Sequence, residues 1–559
     1  MQPNTIKPIH VGVLPFSFAM ARMANIQEAI DRAVTWREDN TKVSPGFLIE
    51  TLTAAIMATH GHMPLSHMED YWKVQDWELL FRGTNITPAK LNDDAYGRAL
   101  DKLADVDLEQ LCMDISYQLL TQQGCTIQAI HADTTSKSVQ GVYDGQDDDA
   151  FDITYGHSKD HRPDLKQIKI GLGVQQNGLP LFGHVFSGNV SDQKWSIEAV
   201  QSMKAFFEEK GRTAPFILDS SLVTKENLAT MEKESILFLS RLPDTFSLTK
   251  SAKEQAVQKE EWRPFKSPSG KEYHLYETVG IPCEKQRTSY LLLVVWSKEL
   301  AAKKEQTLGK KWAKIQEKLA KELAKKEKVP FSCEADAQTA MQESIRSIQE
   351  KGFSVHGKIV SATTKQHPGR GRPKKEESPE ERTIYTLSFS GLAVHPAFAE
   401  RELHMASCFV LISSPELDMC AEDRLLLYKK QSRVETRFRL LKDPILFHNV
   451  YLKSSRRVKA LGYIFYLVLL LLSYLEYQVR RSLEQQDSDW ITPDKKKTRT
   501  PSVKTIIKTM EGLLTMAIGS ERCIAEPPLP QMHHVIEWAG FSTAILVSPI
   551  MEMKQHIQP

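Results

Sequence analysis

The segment Ala460 to Leu475, ALGYIFYLVLLLLSYL, runs for sixteen residues without a charge, and a helix that is apolar on every face has to be covered on every face. At about 1.5 Å per residue it reaches only about 24 Å, short of the roughly 30 Å hydrocarbon layer of a bilayer. A buried core helix is therefore expected, around which the rest of the chain must build strands and helices. The chain has the material. Its 559 residues are 41% hydrophobic and 25% charged, with Gly and Pro scattered without a period. That is the length of roughly three to four domains and excludes collagenous, low-complexity and wholly disordered classes. Lys and Arg total 72 against 70 Asp and Glu, so a polyanion must be attracted by local patches rather than by the net charge of +2. The seven cysteines never form a C-x-x-C pair, which indicates neither a disulfide framework nor a structural zinc site and points to a reducing compartment. The opening residues show no signal-peptide pattern, and a cytoplasmic protein without membrane partners is expected.

Residues 1–124 place apolar side chains at helical spacing and are expected to form a helical N-terminal domain. From Ile127 the texture changes to short apolar runs, with Asn177-Gly178 marking a hairpin inside KQIKIGLGVQQNGLPLFGHVF. A helix, the strand PFILDS, a helix opened by Thr224 and the strand ILFLSRL follow. Over 125–248 this pattern predicts an α/β fold with a mixed sheet flanked by helices. Residues 249–402 read as an insertion of β-like runs around a lysine-rich helix. In that helix Trp312, Ile315, Leu319 and Leu323 share one side. The lysines form either a solvated face or one that tracks phosphates. The α/β texture resumes over 403–483, where AEDRLLLYKKQSRVETRFRLLK reads as one helix stopped by Asp443-Pro444. A helical tail is expected over 484–559.

Three acids stand where such a sheet presents its reactive edge: Asp133 ends HAD, Asp219 ends FILD, and Glu435 lies in the helix after CFVLISS. Two-metal phosphodiester chemistry needs carboxylates converging on ions about 3.5–4 Å apart, and carboxylates suit Mg²⁺ or Mn²⁺. On a continuous helix at about 100° per residue, Tyr428, Gln431, Phe438, Arg439 and Lys442 fall within roughly 60° of Glu435. One face would then offer a carboxylate, a phenol and two cations.

HADTTS, ITYGHSKDHRPDLKQIKIGLGVQQNGLPLFGHVFSGNVSD, FILDSSLVTKENL and above all YKKQSRVETRFRLLK resemble a bacterial insertion-sequence transposase of the DDE class. The branch resembled has a Y-x-x-R-x-x-x-E-x-x-x-x-x-x-K signature and a β-rich insertion between the second Asp and the Glu. The resemblance implies an RNase H-like core and two Mg²⁺ or Mn²⁺ ions held by Asp133, Asp219 and Glu435. It implies binding to the terminal inverted repeats of a mobile element, end cleavage, and joining of 3′ hydroxyls to target DNA. Double-stranded DNA and a homodimer or higher assembly are the partners it implies. Tyr428, Gln431, Arg439 and Lys442 carry over as DNA contacts. Gln431 stands where the signature has arginine, so the cations fall to Arg439 and Lys442, and Gln431→Arg is expected to be tolerated or to raise activity. Arg370 and Arg372 in PGRGRPKK resemble an AT-hook core suited to a narrow A·T minor groove. Relatives in this branch hold a flipped terminal base against a tryptophan of the insertion, a role open to Trp262 or Trp296, while Trp296 in LLLVVWS also fits a core position. No P-loop is present, so no ATP-driven step is expected. The alternatives are a non-catalytic DNA-binding protein derived from such an element and a metal-dependent nuclease without a joining step.

Overall fold

The structure is a computed structural model and describes residues 6–37, 43–59, 63–141, 143, 151–158, 162–190, 192–282, 288–366, 380–443, 452, 454–492, 494–526 and 531–558. The chain divides into two compact units, Met1–Ser240 with Arg424–Pro559, and Arg241–Asp423.

In the first unit the strands Pro180–Ser187, Gln167–Gln175, Ile130–Ser138, Phe216–Leu218 and Phe238–Arg241 neighbour one another in that order. The first three are antiparallel; the last three run parallel. This is the mixed sheet of the RNase H-like arrangement, flanked by helices. Gln167–Gln175 is buried along its whole length, as a strand covered on both faces should be. The expected hairpin turn forms at Asn177-Gly178, where Gly178 takes φ +81°, a conformation open to glycine at no steric cost. Thr224 caps the helix Lys225–Lys233 by accepting the Asn227 N–H at 3.1 Å.

The uncharged segment sits inside the helix Ser455–Gln485. At 31 residues that helix is long and apolar enough to cross a membrane, and its most apolar window is 89% buried within the protein. It packs on the strand Pro180–Ser187. The approach is possible because residue 183 is glycine: a Cβ there would stand 2.2 Å from the Tyr466 ring. The buried Tyr466 hydroxyl also shares a hydrogen bond with Ser116 on the helix Leu108–Gln122 at 2.7 Å.

The helical N-terminal region is preceded by a strand, Ile6–His10, which pairs antiparallel with Leu514–Ile518 of the tail. Its partner lies about five hundred residues away, so no local pattern announces it. In the second unit, Cys408–Ser413, Tyr290–Ser297, Glu272–Gly280 and Arg263–Lys266 form an antiparallel run in that order. A long hairpin, Phe353–Gln366 with Glu380–Val394, stands beside two helices, Lys298–Lys326 and Glu334–Glu350. Leu319, Leu323, Ile348, Phe353 and Val355 are its core.

Candidate active site

Backbone register builds the first half of the site. Ala132 lies opposite Leu218 in the parallel pair, so Asp133 and Asp219, the next residue on each strand, come to adjacent positions on strands spaced by about 4.8 Å. Asp219 stands just past the end of Phe216–Leu218, whereas Asp133 lies inside Ile130–Ser138 and does not end its strand as the sequence suggests, because pairing with Gln167–Gln175 continues to Ser138. Asp133 is half-buried and accepts the Thr134 N–H at 2.7 Å. Asp219 is exposed and caps the turn Ser220–Leu222 by accepting the Ser221 N–H at 2.8 Å.

Glu435 comes from the helix Ser432–Leu441, which packs on the Asp133 strand. The helix is tied to that strand at both ends. At its start His131 Nδ1 donates to Gln431 Oε1 at 3.1 Å, and Gln431 Nε2 reaches the Ala132 carbonyl at 3.5 Å. At its end Lys137 Nζ donates to the Leu441 carbonyl at 3.2 Å. His131 and Lys137 are buried and bracket Asp133, so the placement of Glu435 against Asp133 is held from below. Burial pushes the His131 imidazole down to about 4, against the hydrogen bond to Gln431 and with help from the cations Lys430 and Arg433. The ring is neutral at pH 7.

Asp133, Glu435, Arg439 and Lys442 line one open depression of about 530 Å³, together with Thr134, Thr135, Phe438 and Asp443. Glu435 and Arg439 are exposed there. The continuous helix expected around them is interrupted. Leu427, Tyr428 and Lys430 carbonyls accept from Lys430, Gln431 and Arg433 in three-residue steps, which advance about 120° per residue instead of 100°. Two helices result, Ala421–Lys429 and Ser432–Leu441. Tyr428 is half-buried ahead of the break and outside the lining of the depression. Gln431 turns its amide to the strand rather than to the open face, which corrects its placement as a DNA contact beside Glu435.

Hard carboxylate oxygens in this placement are the donors that Mg²⁺ or Mn²⁺ take. Among the described residues, however, no group of three His, Cys, Asp or Glu side chains converges closely enough to hold an ion. Arg370 and Arg372 lie outside the described residues. In the second unit Trp262 and Trp296 line one pocket of about 300 Å³ with His274 and His404. Trp262 stacks on His404 at 5.5 Å, and Trp296 meets His274 edge-on at 5.0 Å. Trp296 is thus half-buried at a pocket wall rather than in a core.

Residues 135–471, more than half of the chain, match the Transposase DDE domain family. The chain belongs to that family. The match begins two residues after Asp133 and contains Asp219 and Glu435. Residues 7–117 of this DDE transposase match a domain of unknown function, DUF4277. No curated protein matches it. Among solved structures it aligns with the piggyBac transposase synaptic complex with hairpin DNA, at 10% identity over 91% of this chain and 82% of that one, with a TM-score of 0.35.

Sequence reasoning missed four residues in or around this depression: His131, Lys137, Arg437 and Asp443. Arg437 is buried, donates to the Gly178 carbonyl at 2.6 Å and pairs with Glu476 at 2.6 Å, which in turn holds Arg480 at 2.7 Å. The signal for it was present, since Arg437 falls on the buried stripe Val434, Phe438 and Leu441, where an arginine requires a partner. Asp443, read only as a helix stop, lines the depression and forms an ion pair with Lys504.

Proposed function

We propose that this DDE transposase is of the bacterial insertion-sequence type. In this reading it binds the terminal inverted repeats of its element, cleaves a phosphodiester at each end and joins the freed 3′ hydroxyls to target DNA as a dimer or larger assembly. The observation that carries the reading is the meeting of Asp133 with Glu435 and Arg439 in one open depression, with Asp219 at the adjoining strand end. Bound between Asp133, Asp219 and Glu435, two Mg²⁺ or Mn²⁺ ions would activate the attacking hydroxyl and stabilise the leaving oxyanion. The chain's own residues do the positioning. Arg439 and Lys442 stand beside the carboxylates to take the phosphate charge, and charge-assisted bonds of that kind are about twice as strong as neutral ones. His131, Gln431 and Lys137 keep the Glu435 helix at a fixed offset from the Asp133 strand. Arg370 and Arg372 are assigned to minor-groove contact with A·T-rich duplex.

The test is incubation of the purified chain with cloned element ends and Mg²⁺, resolved on a sequencing gel. Nicks confined to the ends, absent in Asp133→Ala, support the reading. Binding without cleavage supports a non-catalytic DNA-binding protein instead. Two observations favour that second reading: the Asp219 carboxylate caps its own turn, and three acidic side chains do not converge among the described residues.

A further inference from the structure

The helix Lys298–Lys326 holds charge that the cleavage chemistry leaves unused. Its 29 residues include ten lysines and four glutamates, a local net charge of +6 against +2 for the whole chain. One side of the helix is fixed. Leu319 and Leu323 are buried against Ile348, Phe353 and Val355, with Trp312 and Ile315 packed beside them. Gln316 donates to the Leu392 carbonyl at 2.7 Å, and Glu327 accepts the Phe389 N–H at 2.6 Å. The helix therefore cannot roll about its axis. Turned away from that core, Lys310, Lys311, Lys314, Lys318, Lys321 and Lys325 fall within an arc of about 100° and extend over about 22 Å. All six are exposed, and among the described residues only Lys321 has an ion-pair partner, Glu317 at 2.7 Å.

A face that served solubility alone would mix its charges. Lysines at i and i+4 repel, and Lys310–Lys314, Lys314–Lys318 and Lys321–Lys325 are three such pairs. The helix Glu334–Glu350, which packs on the same hairpin, carries four acids against one arginine. The basic face is thus particular to one helix rather than a property of the region. Each strand of a DNA duplex offers one phosphate per about 3.4 Å of axis, so a run of about 22 Å matches about six phosphates. We propose that this face is a sequence-independent docking strip for the phosphate backbone of duplex DNA. The choice of DNA as the polyanion rests on the transposase reading.

The experiment uses the full chain and the variant K310Q/K314Q/K318Q/K325Q, with circular dichroism to check that these exposed changes leave the fold intact. Affinity for a duplex of arbitrary sequence, lacking element ends, is measured by anisotropy across a range of KCl. Each lost phosphate contact lowers the slope of log K against log salt by about 0.9, so the variant should lose about 3 to 4 units of slope. Affinity should fall on the order of a thousandfold at about 0.15 M KCl and further at lower salt, equally on A·T-rich and G·C-rich DNA. An unchanged slope overturns the strip, even where the natural chain nicks element ends in Mg²⁺. A reduced slope with no nicking by the natural chain leaves the strip standing and removes the catalytic reading. Loss of adsorption to phosphatidylglycerol vesicles, with the duplex slope unchanged, overturns the strip in favour of an anionic membrane surface.

Discussion

Breaking the His131–Gln431 hydrogen bond should cost both stability and rate, and a double-mutant cycle separates the pair from its surroundings. In Gln431→Leu the His131 ring loses the 3.1 Å acceptor at Nδ1, and its Nε2 is already buried without a partner. An imidazole left wholly unpaired in a buried site costs about 1–3 kcal/mol. His131→Leu removes the same bond but leaves only the weaker 3.5 Å contact of Gln431 to Ala132, so about 1 kcal/mol is expected. The double variant replaces both partners by apolar groups and should be less harmful than the two singles together, with a coupling of about 1–2 kcal/mol. The histidine also predicts a pH signature. Its folded pKa, about 4, lies below the ordinary 6.5, so the unfolded chain binds the proton more readily between these values. The His131 contribution to stability should therefore rise from pH 4 to 6.5, on the order of 3 kcal/mol, and this contribution should be missing from the pH profile of His131→Leu. Because the bond sets the start of the Glu435 helix, Gln431→Leu should also slow single-turnover end cleavage about 10- to 100-fold without weakening end binding. Gln431→Arg should lose activity, contrary to what the signature suggests, since it adds a cation beside Lys430 and Arg433 and removes the acceptor for His131. Urea unfolding and single-turnover cleavage are the assays. Zero coupling, or cleavage at the natural rate in Gln431→Leu, would refute the positioning argument.

Asp133→Ala, Asp219→Ala and Glu435→Ala should each abolish end cleavage in Mg²⁺ while retaining end binding by gel shift, because base recognition lies elsewhere; cleavage that survives in one variant removes that residue from the set. In the buried Arg437–Glu476–Arg480 cluster, Glu476→Gln leaves two arginines facing each other and should cost about 3–5 kcal/mol. Arg437→Met leaves Glu476 with Arg480 and should cost less; urea midpoints in the opposite order contradict this. Glu50 is fully buried beside Arg22, and desolvation, opposed by that guanidinium at 2.8 Å, lifts its carboxyl to about 8. The folded chain then binds the proton more tightly than the unfolded one between pH 4.5 and 8, so this group should erode stability as pH rises through that window. Glu50→Gln should flatten the profile in a pH series of thermal melts.

Local patterns were sufficient for much of the first unit. Alternating apolar runs, the Asn177-Gly178 turn, the Thr224 cap and the uncharged core of Ser455–Gln485 each act over a few residues, and each could be read in order along the chain. Asp219 was legible for the same reason, since the end of Phe216–Leu218 is marked by its own sequence; Asp133 was not, because its strand runs on to Ser138 through pairing with Gln167–Gln175. Tertiary structure alone decided what crosses between distant segments. No periodicity shows that Ile6–His10 pairs with Leu514–Ile518, or that His131 and Lys137 hold a helix about three hundred residues later. The helix break before Glu435 belongs to the same class. Residues 421–442 carry a helical pattern throughout, but the hydrogen bond of Gln431 to the Asp133 strand accompanies a tighter turn that local propensity does not favour. Sequence supplied the chemistry of the site, because side-chain type is local; which side chains face substrate and which face the core depended on contacts that exist only once the chain has closed on itself.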